Sequence, residues 1–349
     1  MQVIKTILFQ DFRTFLQQQV DFAERTLLSG KNGVGKTTIM EGIYLLSHGD
    51  SFRASVIDEM ITFEKDLARV GGKIDEDTLE ITLTRGKIQG KRTLKRHYAL
   101  NGAKKRKKDF VGQFFAVIFR PEDMRLIEGS PGRRRAFIDG VLSTIDLNYA
   151  HSLHNYEQAL KRINRLFELV REGEQQRSVL QYWEMMLVKH GQYLQVKRQE
   201  FFSFLRTVTF PFDFNIKYLI SEISENDISS RREKAIAAGH LLTGPHKDDF
   251  QVLFVSEKLH NRDVAAFGSR GQQRLAVLWL KLGELQFVEK IRAQLPVFLL
   301  DDIFSELDED AQEMVLELVN KYQTVISTAH EETEEFLKNK IKDLKVVKL

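Results

Sequence analysis

The 349-residue chain is 42% hydrophobic and 29% charged, which describes a globular protein with room for one large or two ordinary domains. No apolar run approaches the roughly 20 residues of a membrane span, Met1-Gln2-Val3-Ile4-Lys5 has no signal-peptide pattern, and the lack of cysteine excludes disulfides and thiolate metal sites. A cytoplasmic protein without a membrane association is expected, and a net charge of +3 is too small to announce nucleic-acid binding, leaving local clusters to carry that information.

In chain order, Val3–Leu8 and Phe15–Phe22 read as strands about a polar turn at Gln10–Thr14. Arg25–Ser29 is a short strand that runs into the glycine-rich stretch Gly30–Gly35, and Ile39–Leu46 has helical spacing. Leu79–Thr84 and Leu94–Leu100 alternate as strands, followed by Asn101-Gly102, a strong two-residue hairpin signal. Basic clusters stand at Lys91-Arg92 with Lys95-Arg96, at Lys104-Lys105-Arg106-Lys107-Lys108 and at Arg133-Arg134-Arg135. Each alone reads equally as a solvated edge or helix face. Five like charges on a loop tip repel one another, however, so a polyanion is expected near Lys104, Lys105, Arg106, Lys107 and Lys108.

The character changes near Asp146. Leu153, Tyr156, Leu160, Ile163, Phe167 and Val170 are three or four apart, as are Trp183, Met186, His190, Leu194, Phe201 and Leu205 in the main. The spacing predicts two amphipathic helices of ~25 residues, each roughly 40 Å long, joined by the polar stretch Arg171–Gln176 in an antiparallel hairpin. The seam is too short for an extended coiled coil. Mixed α/β character resumes near Phe212, with a strand at Gln251–Val255, a long helix at Gly271–Val288 and a buried strand at Val297–Leu300. A helix at Asp310–Tyr322, a buried strand at Thr324–Ser327 and a last helix and strand complete the chain. The expected organisation is an α/β domain in two pieces, residues 1–140 and 211–349, split by a helical hairpin over residues 141–210.

Gly30-Lys31-Asn32-Gly33-Val34-Gly35-Lys36-Thr37 fits G-x-x-x-x-G-K-[ST], with Thr38 next. Glycines let backbone N–H groups turn inward around phosphate oxygens, Lys36 supplies a point charge, and the Thr37 hydroxyl suits Mg²⁺. Such a site needs a carboxylate at the end of a neighbouring buried strand, and "PVFLLDD" supplies one. Asp301 leaves the carboxyl end of an apolar strand and is expected in the Mg²⁺ shell, with Asp302 placed to orient a water. A second anion receptor is expected where Ser269-Arg270-Gly271-Gln272 begins a helix, through free N–H groups and the positive dipole end. Because the P-loop already serves the nucleotide's other phosphates, that receptor makes sense on a second copy of the chain.

The P-loop, Ser269-Arg270-Gly271-Gln272-Gln273, "FLLDD" and "SELD" (Ser305–Asp308) together resemble the ATP-binding-cassette ATPases of the SMC type. "FRPEDMRLIEGSPGRRRAFID" (Phe119–Asp139), "LLTGPHKDDF" (Leu241–Phe250) and "SRGQQRLAVLWLKLGEL" (Ser269–Leu285) resemble the RecF family, and the likeness runs in order across nearly the whole chain. The resemblance implies an α/β ABC-ATPase head, a P-loop mixed sheet with flanking helices, carrying an inserted helical hairpin. It implies a weak DNA-stimulated ATPase using ATP and Mg²⁺, an ATP-dependent homodimer, binding to single-stranded, double-stranded and junction DNA, and work with RecO and RecR in loading RecA.

Carried over by position, Lys36 and Thr37 take Walker A roles, Asp301 the Walker B role, and Ser269, Arg270, Gly271 and Gln272 the contact to the other protomer's γ-phosphate. Asp308 matches the loop across the dimer interface. Asp302 stands where related ATPases place a glutamate, one methylene longer, so slow hydrolysis is expected. A switch histidine would directly follow the strand at Thr324–Ser327; His330 comes late, so Thr328 is taken as the γ-phosphate sensor. Arg53 in "SFRAS" aligns with a His-Arg-Thr region, but Phe52 precedes it, which leaves its role open. DNA contacts are sought at Lys104–Lys108, Arg133–Arg135 and near Lys161, Arg162 and Arg165. Two other readings stand beside the dimer switch: an ATP-bound scaffold with little turnover, and a transporter's nucleotide-binding subunit. Against the latter, 234 positions separate Gly35 from Ser269, and the helical hairpin has no transporter counterpart.

Overall fold

A computed structural model of the chain describes residues 3–88, 90–255 and 261–349. The chain divides into two compact units, Met1–Asp123 with Glu284–Leu349, and Met124–Gly283.

The first unit begins with β1 (Ile4–Phe12), β2 (Phe15–Asp21), β3 (Arg25–Ser29) and α1 (Lys36–His48). It continues through β4 (Leu67–Ile74), β5 (Asp77–Thr84), the small ribbon β6 (Lys87–Ile88) and β7 (Lys91–Arg92), then β8 (Arg96–Leu100), β9 (Ala103–Lys105), the single turn α2 (Lys107–Phe110) and β10 (Ala116–Phe119). Strands β2-β1-β4-β5-β8-β9 form an antiparallel sheet. Phe12 is buried at the end of β1 and pairs with Phe15, so the turn narrows from the expected Gln10–Thr14 to Arg13-Thr14. Strand β4 escapes sequence reading because Gly71-Gly72 blanks its alternation. Asn101 and Gly102 take φ of +52° and +76° between the paired Leu100 and Ala103, the two-residue turn their sequence predicts. The five-residue basic run is consequently no loop tip. Lys104 and Lys105 lie on the edge strand and Lys107 and Lys108 begin α2.

The second unit contains α3 (Arg125–Glu128), α4 (Pro131–Ile145), α5 (Leu147–Arg171), α6 (Leu180–Leu205), β11 (Phe214–Leu219), α7 (Glu225–Ala238), β12 (Asp249–Phe254), α8 (Val264–Phe267) and the first part of α9 (Arg270–Arg292). Helices α5 and α6 make the expected hairpin, burying Tyr156, Ile163 and Phe167 along one and Leu187, Leu194 and Phe201 along the other. Asp146 starts α5 by accepting the amides of Asn148 and Tyr149. This unit is wider than residues 141–210, because α4, α7 and the antiparallel pair β11-β12 share its core with the hairpin. At its centre Arg198, 2% exposed, donates to Asp139 at 2.8 Å, Asp248 at 2.8 Å and the Pro245 carbonyl at 2.8 Å. Tyr149 and Tyr218 donate to the same two carboxylates.

Back in the first unit, β13 (Val297–Asp301), α10 (Glu309–Lys321), β14 (Thr324–Thr328), α11 (Glu331–Lys340) and β15 (Lys345–Lys348) complete the chain. Strands β10-β13-β14-β3-β15 are all parallel. The parallel and antiparallel strands of the head are thus segregated into separate sheets. Helix α1 is buried nearly all round, and its Ile39, Met40, Ile43, Leu45 and Leu46 share one core with residues of both sheets. Gly42 permits this close approach: a Cβ there would fall 2.3 Å from the Phe9 ring.

Candidate functional site

Strand β3 ends at Ser29 and the chain turns through Gly30, Gly33 and Gly35 at φ of +157°, +85° and +109°. Gly35 also lies against the Phe15 ring, where a Cβ would sit at 2.3 Å, so neither its backbone nor its surroundings admit a side chain. Helix α1 begins at Lys36 with no side chain capping it, which leaves its first amides and dipole for an anion. Lys36 is buried, its ammonium donating to the carbonyls of Gly30 at 2.6 Å and Lys31 at 2.9 Å. Burial pulls its pKa down, while the negative charges of Asp302 and Asp301 oppose that shift.

Asp301 closes β13 beside this loop. Its Oδ1 accepts from the Thr37 hydroxyl at 3.1 Å and from Ser327 at 2.7 Å. Burial raises its pKa above the ordinary aspartate range, with the two hydroxyl donors opposing. Asp302 has φ +52°, a left-handed backbone that turns the chain off the strand, and its amide donates to the same Ser327 hydroxyl at 3.0 Å. One β14 hydroxyl therefore fixes both aspartates. Ser327 was not marked from sequence, since nothing in "TVIST" distinguishes it until β14 is seen between β3 and β13.

These groups open onto a cavity of about 490 Å³ lined by Asn32, Gly33, Gly35, Lys36, Thr37 and Thr38 on the loop side and Asp301 and Asp302 opposite. The volume lies in the range of nucleotide-sized sites. Hard oxygen donors from Thr37 and Asp301 suit Mg²⁺, which takes few protein ligands and completes its shell with water and phosphate. Sequence reasoning missed further lining residues, Arg13, Thr14, Arg120 and Glu122. Arg13 grips Glu41 of α1 through two bonds of 3.0 and 2.7 Å, and Ser51 donates to the same carboxylate at 2.5 Å. Arg120 lies 4.8 Å over the Phe52 ring and bonds its carbonyl at 3.3 Å. Phe52 and Arg53, left open by the sequence, both line the cavity.

Residues 3–347 match the family described as RecF/RecN/SMC N terminal domain. The DNA replication and repair protein RecF of Thermoanaerobacter sp. (strain X514) is 31% identical over 353 residues, covering 93% of both chains. That of Exiguobacterium sp. (strain ATCC BAA-1283 / AT1b) is 30% identical, covering 94% of this chain and 92% of its own. The chain belongs to the RecF family. Among solved structures, the recombination mediator protein RecF-ATPrS in the RecFOR pathway superposes with a TM-score of 0.85 at 27% identity, covering all of this chain and 96% of its own. An Smc head domain from Pyrococcus furiosus, at 16% identity and a TM-score of 0.51, shares the fold.

The remaining RecF-family positions are less uniform. Ser269 accepts from the Gln272 amide at 3.3 Å while the Gln272 side chain accepts from the Ser269 amide at 2.9 Å, a reciprocal cap. The amide of Gln272, expected to be free, is thus held by Ser269 itself. Asp308 caps α10 through the Ala311 amide at 3.0 Å. Thr328 is buried, its hydroxyl accepting from the His330 amide at 3.2 Å, and it is not among the lining residues of the P-loop cavity. His330, Gly30 and Lys31 line a second cavity of about 470 Å³ instead. Of the basic runs, Arg106 pairs with Asp109 and Lys107 with Asp50. Arg134 forks Asp249 at 2.6 and 2.8 Å, and Arg135 bonds the Asp248 carbonyl at 2.9 Å. Those two arginines serve the core of their unit, which argues against a DNA role for them.

Proposed function

We propose that this RecF-family chain is an ATP-dependent DNA-binding protein of recombinational repair and replication, in which ATP closes two copies into a clamp. The observation that carries the reading is the convergence of Lys36, Thr37 and Asp301 on one P-loop cavity, with Thr37 and Asp301 already in hydrogen-bond contact. ATP with Mg²⁺ supplies the polyphosphate charge and the scissile phosphoanhydride. Lys36 and the α1 amides hold the phosphates, Thr37 and Asp301 hold the metal, and Asp302, braced by Ser327, orients water. The exposed cap at Ser269, with Arg270, Gly271 and Gln272, receives the γ-phosphate of the other copy, and Asp308 lies at that interface. Thr328 senses the γ-phosphate from behind the P-loop through the carbonyl it offers the Gly30 amide, at 3.4 Å. A weak turnover follows from Asp302 standing where a longer glutamate serves better, and its stimulation by DNA is part of the same proposal. The RecFOR pathway named for the solved recombination mediator RecF supports RecO and RecR as partners, and RecA loading at gaps and junctions is the task this reading gives them. The same short aspartate favours the second reading, a scaffold that holds ATP without hydrolysing it. Phosphate release measured with and without DNA separates the two, since DNA-stimulated release excludes the scaffold.

Two variants probe the site. Ser269→Arg places a bulky cation at the receptor, and the ATP-loaded protein should elute as a monomer in gel filtration with its nucleotide affinity retained. A persistent dimer would remove the signature helix from the interface. Asp301→Asn keeps an acceptor for Thr37 and Ser327 but deletes the buried charge. Because burial raises the Asp301 pKa, its ionised form at neutral pH opposes folding, so the ligand-free variant should melt at the same temperature or higher. Its stabilisation by Mg²⁺-ATP, about 2.7 kcal/mol for the parent at a hundredfold excess over Kd, should vanish. In the parent, metal-dependent ATP binding should weaken on acidification at a pH above the ordinary aspartate range, as Asp301 takes up its proton early.

A further inference from the structure

We infer that the ribbon β6–β7 is a DNA-contacting wing of the first unit. The inference rests on the DNA-binding reading above and gives it a surface. From Arg85 to Arg96 the chain carries Arg85, Lys87, Lys91, Arg92, Lys95 and Arg96 and no acidic residue. The ribbon stands at the end of β5, with Lys87 directly opposite Arg92 and Ile88 opposite Lys91. Like charges directly across an antiparallel pair repel, and a two-stranded ribbon alone is marginal in water. Lys87, Lys91 and Arg92 are exposed, and no acidic group among the described residues lies within 4.0 Å of them. Charges are balanced only at the root, where Arg85 and Lys95 reach Asp58 at 3.5 and 4.0 Å and Arg96 reaches Asp50 at 2.6 Å. The run at 104–108 is partly paired, Arg106 with Asp109 and Lys107 with the same Asp50 that meets Arg96, while Lys104, Lys105 and Lys108 are exposed. The ribbon holds uncompensated positive charge of its own, which a polyanion would neutralise.

Its shape and chemistry favour duplex DNA over an acidic protein. A two-stranded ribbon fits a major groove about 12 Å wide, and phosphate contacts need charge alone. A specific protein interface needs an apolar anchor in its centre, and the ribbon has only the half-buried Ile88. Exposed apolar side chains, Leu94 at 72% and Phe63 at 84%, belong to its root, where Arg85 bonds the Lys65 carbonyl at 2.9 Å.

The test compares the full-length protein with a variant carrying Lys87→Glu, Lys91→Glu and Arg92→Glu, and with the milder Lys87→Gln, Lys91→Gln, Arg92→Gln. Duplex affinity is measured with ATP across a salt series. The glutamate variant should bind at least about tenfold more weakly, and in both variants the slope of log affinity against log salt should shrink by about 2.7, the value for three lost phosphate contacts. ATP affinity and melting temperature should not move, because the ribbon is solvent-exposed. Parent-like affinity and slope in both variants would overturn the ribbon while leaving DNA binding in place. Loss of retention on polyglutamate with DNA binding intact would assign it to an acidic protein and also overturn it. A parent protein that fails to bind duplex at low salt would bring down the DNA reading itself, and this inference with it.

Discussion

Alanine at Lys36 will abolish ATP-dependent dimerisation and weaken ATP binding by at least about a hundredfold. The ammonium is buried and held over the loop by the Gly30 and Lys31 carbonyls, and in the proposed role it turns from them to phosphate oxygens. Hydrogen bonds to charged groups contribute about 1.5–3 kcal/mol each, so losing two costs about 3–6 kcal/mol, or more than two decades in Kd. The ligand-free protein responds in the opposite sense. Burial lowers the Lys36 pKa, so below its folded value the charged form opposes folding, and alanine should leave the melting temperature unchanged or raise it. Titration calorimetry with ATP and gel filtration check both statements. An affinity within tenfold of the parent would sink the P-loop assignment.

The second large effect concerns stability. Arg198→Met keeps most of the volume but strands Asp139 and Asp248, which lose bonds of 2.8–3.3 Å to the guanidinium. Removing one partner of a buried ion pair costs about 3–5 kcal/mol, since the remaining charge has no compensation. For a unit of this size each kcal/mol shifts the melting temperature by roughly 2–4 °C, so a fall of about 10 °C is expected. Adding Asp248→Asn should recover part of the loss. A melting shift of only one or two degrees would show that the triad contributes no more than a surface pair.

Much of the site was legible because its chemistry resides in consecutive residues. A P-loop works through backbone amides of one short stretch, so Gly30 to Thr38 announce it. The strand Val297–Leu300 is buried on both faces and therefore reads as a plain apolar run ending in Asp301. Other residues have no local signature. Ser327 matters because β14 lies between β3 and β13, Arg13 because the β1–β2 turn reaches Glu41 of α1, and Arg198 because the hairpin meets the segment before β12. Part of the pairing of the basic runs was hidden for the same reason: charge count is visible in sequence, but the acids that meet Lys107 and Arg134, Asp50 and Asp249, lie 57 and 115 residues away.

The sequence by itself determined the P-loop, the aspartate at the end of its neighbouring buried strand, the helical hairpin and the Asn101-Gly102 turn, all of them set by short-range spacing and backbone preference. Tertiary structure alone decided which distant segments meet, as where the buried Gln323 side chain, just before β14, bonds both the amide and carbonyl of Ile4 in the other sheet at 2.8 Å, 319 residues away. It likewise decided which cations are left without a partner. Strand order and charge pairing depend on groups distant in the chain, whose contacts form only when burying apolar faces brings the sheets and helices together.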